Sequence, residues 1–77
     1  MTQEDISHLV DRYGDMVLRI SFTYLKNKAD AEDTVQDVFL HIVEREPEFH
    51  DKTHEKSWII RTTINLWKNK LNVFLQY

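Results

Sequence analysis

Apolar side chains recur along this chain at steps of three and four, the period of a helix rather than a strand. Ile6, Leu9, Val10, Tyr13, Met16, Val17, Ile20 and Tyr24 fall on one side of a first helix, with Thr2 as its expected N-cap and acids in its first turn. Gly14 interrupts that side at a cost of about 1 kcal/mol relative to Ala, and marks either a close helix approach or a break. The pattern therefore predicts one continuous helix or two closely joined ones, ending near "KNKAD", where Lys26 and Lys28 suit a helix C-terminus.

A second helix is expected from about Ala31 to Arg45, with Asp30 as N-cap and Ala31, Val35, Val38, Phe39 and Ile42 facing the core. Glu46-Pro47 stops it, because the residue before a proline is pushed out of the α region. The polar connection "EPEFHDKTHEK" holds Phe49 as its one large apolar side chain. Thr53 is the expected cap of a third helix beginning near His54, with Ile60, Ile64, Trp67, Leu71 and Phe74 along its apolar stripe. Beside that stripe run Arg61, Asn65, Lys68 and Asn72, polar and cationic.

Composition narrows the class. Seventy-seven residues at 42% hydrophobic make one small domain, residues 1–77, close to the size limit for a single unaided core. One glycine, one proline and no strand-like alternation argue for an all-α compact bundle of three to four helices. Without cysteine there is neither a disulfide framework nor a thiolate metal site. No apolar run approaches the ~20 residues of a membrane span, and the N-terminus carries acids where a signal peptide carries bases. A soluble, cytoplasmic protein is the expectation. The net charge of −3 conceals an asymmetry: Met1–Ser57 holds 7 basic and 13 acidic residues, and Trp58–Tyr77 holds 3 basic and none acidic.

That asymmetry directs attention to two stretches. Asp30, Glu32, Asp33 and Asp37 crowd the start of the second helix. Favourable interaction with the helix macrodipole accounts for the first three, but Asp37 lies about two turns in, beyond the reach of that effect. A solvated face and a docking face for a basic partner both remain open for the cluster. In the third helix Trp58, Arg61, Asn65, Lys68 and Asn69 combine a stacking ring, phosphate-pairing cations and amides able to pair with base edges. Against nucleic-acid contact stands a core role for the tryptophans beside a solvated stripe, and Trp67 on the apolar stripe is read as core. His50 and His54 stand four apart with Asp51 between them, yet no third ligand follows in a metal-binding motif, so no metal is expected. No Ser-His-Asp order, glycine-rich phosphate loop or paired catalytic carboxylates stands out. An enzyme is not expected, nor a cofactor.

Taken together, "DAEDTVQDVFLHIVE" followed after a short loop by "HEKSWIIRTTINLWKNKL" resembles the second conserved region of bacterial RNA polymerase sigma factors, specifically the compact extracytoplasmic-function group. The likeness covers roughly Tyr13 to Leu71. In that family the acidic helix docks on a basic coiled coil of the clamp in the largest polymerase subunit. The resemblance thus implies a polymerase contact at Asp33, Gln36 and Asp37, with Phe39 and Leu40 nearby. It also implies that the Phe49–Glu55 loop, including His50, forms a pocket for a base flipped from the non-template strand of the promoter −10 element. Trp58, Arg61 and Asn65 match the family's Trp-x-x-Arg-x-x-x-Asn spacing, and with Lys68 and Asn69 complete the implied DNA contacts.

Two departures qualify the likeness. Housekeeping-type sigma factors carry a second aromatic where this chain has Ile59, which implies a weaker strand-separating wedge and stricter promoter dependence. Asn69 and Asn72 stand where many relatives have an Asp and an Arg-rich end. The −35-reading helix-turn-helix domain is absent from these residues, so a fragment, or a product unable to initiate transcription alone, is expected. The implied function is a transcription-initiation module that binds polymerase and recognises and melts the −10 element. The alternative is a sigma-like interaction module that titrates polymerase or an anti-sigma factor without significant DNA binding. The tail "LNVFLQY" adds an expectation of self-association, because Leu71, Val73, Phe74, Leu75 and Tyr77 have little chain left to cover them.

Overall fold

A computed structural model describes residues 2–75 of the chain, with side chains through Leu71. Three helices follow one another: α1 (Gln3–Leu25), α2 (Lys28–Arg45) and α3 (Lys52–Leu75). Each packs on the other two, giving the all-α bundle that the periodicity predicts. Among the described residues no helix is long and apolar enough to cross a membrane.

Local chemistry explains where the helices begin and end. At the start of α1, Thr2 Oγ1 accepts the Asp5 backbone N–H at 3.2 Å and Asp5 Oδ2 accepts that of Thr2 at 3.0 Å, a reciprocal capping box. The bond from the Thr2 backbone holds the Asp5 carboxyl below its ordinary pKa. Gly14 neither breaks α1 nor marks a close approach, since an added Cβ would meet only Val10 Cγ1, at 3.8 Å. The helix closes at Lys26, which turns left-handed (φ 55°) and donates its N–H to the Phe22 carbonyl.

Two expected caps prove displaced. Asn27, not Asp30, caps α2: its Oδ1 accepts the Asp30 N–H at 3.0 Å, so the helix starts three residues earlier, at Lys28. Asp51, not Thr53, caps α3, accepting the His54 N–H at 2.8 Å. The stop before Pro47 is as predicted, with Glu46 left-handed (φ 45°) behind Arg45.

The core joins Leu9, Tyr13 and Val17 of α1 to Val38, Phe39 and Ile42 of α2 and Ile59 of α3. Small residues, Ser21, Ala31, Thr34 and Thr63, are buried alongside. Thr34 and Thr63 satisfy their hydroxyls by donating to the Asp30 and Ile59 carbonyls one turn back. Here α3 departs from the predicted stripe. Ile59 is fully enclosed and Thr63 buried, whereas Ile60 and Ile64 are only half-buried. A threonine with its hydroxyl bonded internally can face the interior, so the buried side of α3 is rotated by about one position from the line of bulky apolar residues. Trp67 is half-buried and stacks on Tyr24, ring centroids 4.4 Å apart and planes 6° from parallel, and its indole Nε1 is buried without a partner. Leu71, the first residue of the tail expected to drive self-association, is half-buried; Asn72, Phe74 and the rest of that tail have their side chains outside the described residues.

Candidate functional site

The acidic face takes its shape from the early start of α2. With the helix beginning at Lys28, Asp33 and Asp37 both lie past the first turn, where the macrodipole has little hold on them. They meet α3 instead. Lys70 Nζ lies 2.5 Å from Asp33 Oδ2 and 3.7 Å from Asp37 Oδ2, with only 21% of the lysine side chain exposed. Burial disfavours its charge, but the hydrogen bond and charge of Asp33, with Asp37 and Asp30 behind, more than compensate and raise the ammonium pKa above its ordinary value. Around this pair Gln36 is exposed, as are Leu40 and Val43, at 54% and 50%. Phe39 does not belong with them. At 8% exposure it is a core residue, placed inward by the same turn that puts Leu40 outward, and its assignment to a docking face is corrected accordingly.

The loop before α3 is held by rings. Phe49 meets His54 and Trp58 edge-on, at centroid distances of 5.8 and 5.7 Å, and His50 stacks on His54 at 5.0 Å. The His50 backbone N–H donates to His54 Nδ1 at 3.2 Å, tying the loop to the first turn of α3. Phe49 and Glu55 line an open cleft of about 370 Å³ with Asp5, His8, Leu9, Arg12 and Pro47. Glu55 Oε1 accepts from Arg12 Nη1 and from the Tyr13 hydroxyl, each at 2.7 Å. These bonds to Glu55 raise the Arg12 pKa; burial first, and Glu55 second, raise that of Tyr13. Among the described residues no group of three or more His, Asp or Glu side chains converges as a metal site.

The far side of α3 carries a different chemistry. Arg61, Asn65 and Lys68 border an open groove of about 430 Å³ whose floor is the half-buried pair Ile60 and Ile64, with Ser57 at one end. Asn65 also borders a smaller notch of about 170 Å³ formed with Thr62, Leu66 and Asn69 of α3 and His41 and Arg45 of α2. Asn65 is thus the ridge between two depressions, neither lined by a carboxylate. Trp58, by contrast, packs half-buried against Phe49 and the core.

Residues chosen from the sequence therefore separate into three places. Asp33, Gln36, Asp37 and Leu40 share the α2 surface; Phe49, His50 and Trp58 share the loop cluster; Arg61, Asn65 and Lys68 line the outer side of α3, with Asn69 beyond Asn65 in the notch toward α2. Sequence reasoning missed Lys70, whose partner lies 37 residues upstream. It also missed the α1 wall of the cleft, His8 and Arg12, and the α2 wall of the notch, His41 and Arg45. For Val43 a signal was available: it follows Leu40 by three and Gln36 by seven, the spacing of one helix face.

Residues 9–72 match the family model described as Sigma-70 region 2, which accounts for most of the chain. No curated protein matches the chain, and no solved structure does.

Proposed function

Because this chain belongs to the Sigma-70 region 2 family, a transcription-factor family whose members bind RNA polymerase and recognise the promoter −10 element, we propose that its two charged faces divide those tasks. The α2 surface of Asp33, Gln36, Asp37, Leu40 and Val43 docks on the basic coiled coil of the polymerase clamp. The loop cluster and the outer side of α3 take the non-template strand of a melting −10 element. One observation supports this most: α3 turns Lys70 toward the α2 acids and Arg61, Asn65 and Lys68 away from them. Lys68 and Lys70 stand about 200° apart around the helix, so one short element carries both an internal counter-ion and a cationic face on which no ion pair falls among the described residues.

In this scheme the cleft below Phe49 receives a flipped base, with Arg12, His8 and Glu55 supplying polar edges at its wall. Asn65 reads a base edge, and Arg61 and Lys68 neutralise phosphates on either side of it. Ile59 is wholly enclosed, so strand separation leans on Trp58 and the loop cluster rather than on a pair of adjacent wedges. This is consistent with the extracytoplasmic-function group and its dependence on a favourable promoter.

The test is made in reconstituted holoenzyme. Asn65→Ala should reduce discrimination among −10 sequences by ~1–3 kcal/mol, the value of a base-edge contact, while Lys68→Ala weakens all promoters alike. Polymerase binding without any retention of −10 single strands would instead identify a titrating interaction module.

A further inference from the structure

The notch between α2 and α3 is not used by the contacts proposed above, apart from Asn65 at its edge. His41 and Arg45 stand one turn apart on α2 and face Thr62, Asn65 and Asn69 across a floor made by Leu66. Five of these six residues can donate a hydrogen bond: a guanidinium, an imidazole, a hydroxyl and two amides. None of the six is an acid. Glu44 and Glu46 flank Arg45 in the sequence, but neither lines the notch. Among the described residues no ion pair falls on Arg45, and the hydroxyl of Thr62 has no hydrogen-bond partner, unlike the neighbouring Thr63, which is bonded within the helix. A depression lined by donors and one permanent cation, without a carboxylate, is chemically matched to an oxyanion.

We propose that this notch holds a phosphate of the DNA backbone, so that the nucleic-acid track does not end on α3 but crosses the Asn65 ridge onto the end of α2. Arg45 is the charged clamp, and His41, Thr62 and Asn69 are its neutral or weakly basic donors. The placement rests on the reading of α3 as a DNA-contacting face and extends it. Asn65 borders both depressions, and the open groove on its other side carries Arg61 and Lys68. A strand lying over Asn65 therefore finds a cation on each side. The charge on the α2 side fixes the direction in which the strand leaves the domain. Phosphate contacts position a protein on its site without reading sequence, so Arg45 is a positioning residue for the base contact at Asn65.

The experiment measures binding of reconstituted holoenzyme to −10 promoter DNA across a salt series, with Arg45→Ala, Arg45→Lys and Lys68→Ala compared with the unaltered chain. Arg45 is exposed at the end of α2, so its truncation does not open the core; circular dichroism and polymerase binding of each variant verify folding. Loss of one phosphate contact on a single strand lowers the slope of log K against log salt by about 0.7. Arg45→Ala should show that decrement for every promoter sequence, and Arg45→Lys should restore most of it. A single neutral methylphosphonate linkage scanned along the strand should find one position where the unaltered chain loses the same increment and Arg45→Ala loses nothing further. An unchanged slope for Arg45→Ala beside a lowered slope for Lys68→Ala would overturn the notch and leave the α3 reading standing. Unchanged slopes for both variants would overturn the notch and the α3 reading together.

Discussion

Lys70 Nζ sits 2.5 Å from Asp33 Oδ2, so the acid at the centre of the proposed docking face already has a cation from its own chain. The pair is half in solvent, with 58% of the Asp33 side chain exposed, and contributes under about 1 kcal/mol to stability. Its weight is in recognition. A basic partner meets acids whose positions are fixed and whose charge is partly offset, which favours a partner bringing several cations over one bringing a single charge.

Asp33→Asn combined with Asp37→Asn should weaken binding to polymerase core by about tenfold or more while moving the melting temperature little. Asparagine is the cleaner choice, because lysine at both positions would crowd two further ammonium groups around that of Lys70. Lys70→Met should instead bind core at least as tightly as the unaltered chain, since it frees both carboxylates. Titration of core polymerase with each purified variant checks the pair of expectations.

Alkaline pH should destabilise the domain through two groups. Tyr13 and Lys70 both have folded-state pKa values raised above their ordinary 10.0 and 10.5. Each therefore contributes stability that is complete below its unfolded value and is lost as pH rises through the folded one. Melting curves from pH 8 to 11 should be flat at first and then fall above about pH 10. Tyr13→Phe with Lys70→Met should flatten that fall, at the cost of the Glu55 hydrogen bond under neutral conditions.

Ile59→Ala should cost about 2–5 kcal/mol, the range for emptying a fully enclosed aliphatic site. Ile60→Ala and Ile64→Ala, at the half-buried floor of the outer groove, should each cost markedly less. Equal costs at all three, measured by denaturant unfolding, would return the buried side of α3 to the line drawn by its bulky residues.

Gly14→Ala should stabilise the chain by roughly 0.5–1 kcal/mol, because the position is helical and an added Cβ meets nothing closer than ordinary contact. Thermal melting of the variant measures it directly. A loss of stability would mean that something nearer than Val10 occupies that space in solution.

The sequence carried the helices well and the contacts between them poorly, for reasons visible at single residues. Thr2 with Asp5, and Glu46 before Pro47, are local signals and fall where expected. "KNKAD" offers two capping residues, Asn27 and Asp30, and the earlier one prevails, adding three residues, most of one turn, to the helix. Periodicity counted Thr63 as polar and so missed the true buried side of α3. The family motif drew Phe39 toward the polymerase contact, although the periodicity of α2 had already assigned it inward. Lys70, Arg45 and His41 carry no local signal at all, since what gives each its neighbours is the packing of α3 on α2. The family likeness fared better because it rests on order and spacing across both helices at once.

The Tyr24–Trp67 stack joins the end of α1 to the later half of α3, away from Ile59 and the loop rings. Its indole N–H is shielded from water, while Trp58 lies in the other aromatic cluster. With Trp58→Phe, the remaining fluorophore reports on one junction alone. Its emission would separate loosening of the distal part of α3 from global unfolding, and would reveal whether holoenzyme assembly draws that half of the helix tighter or releases it.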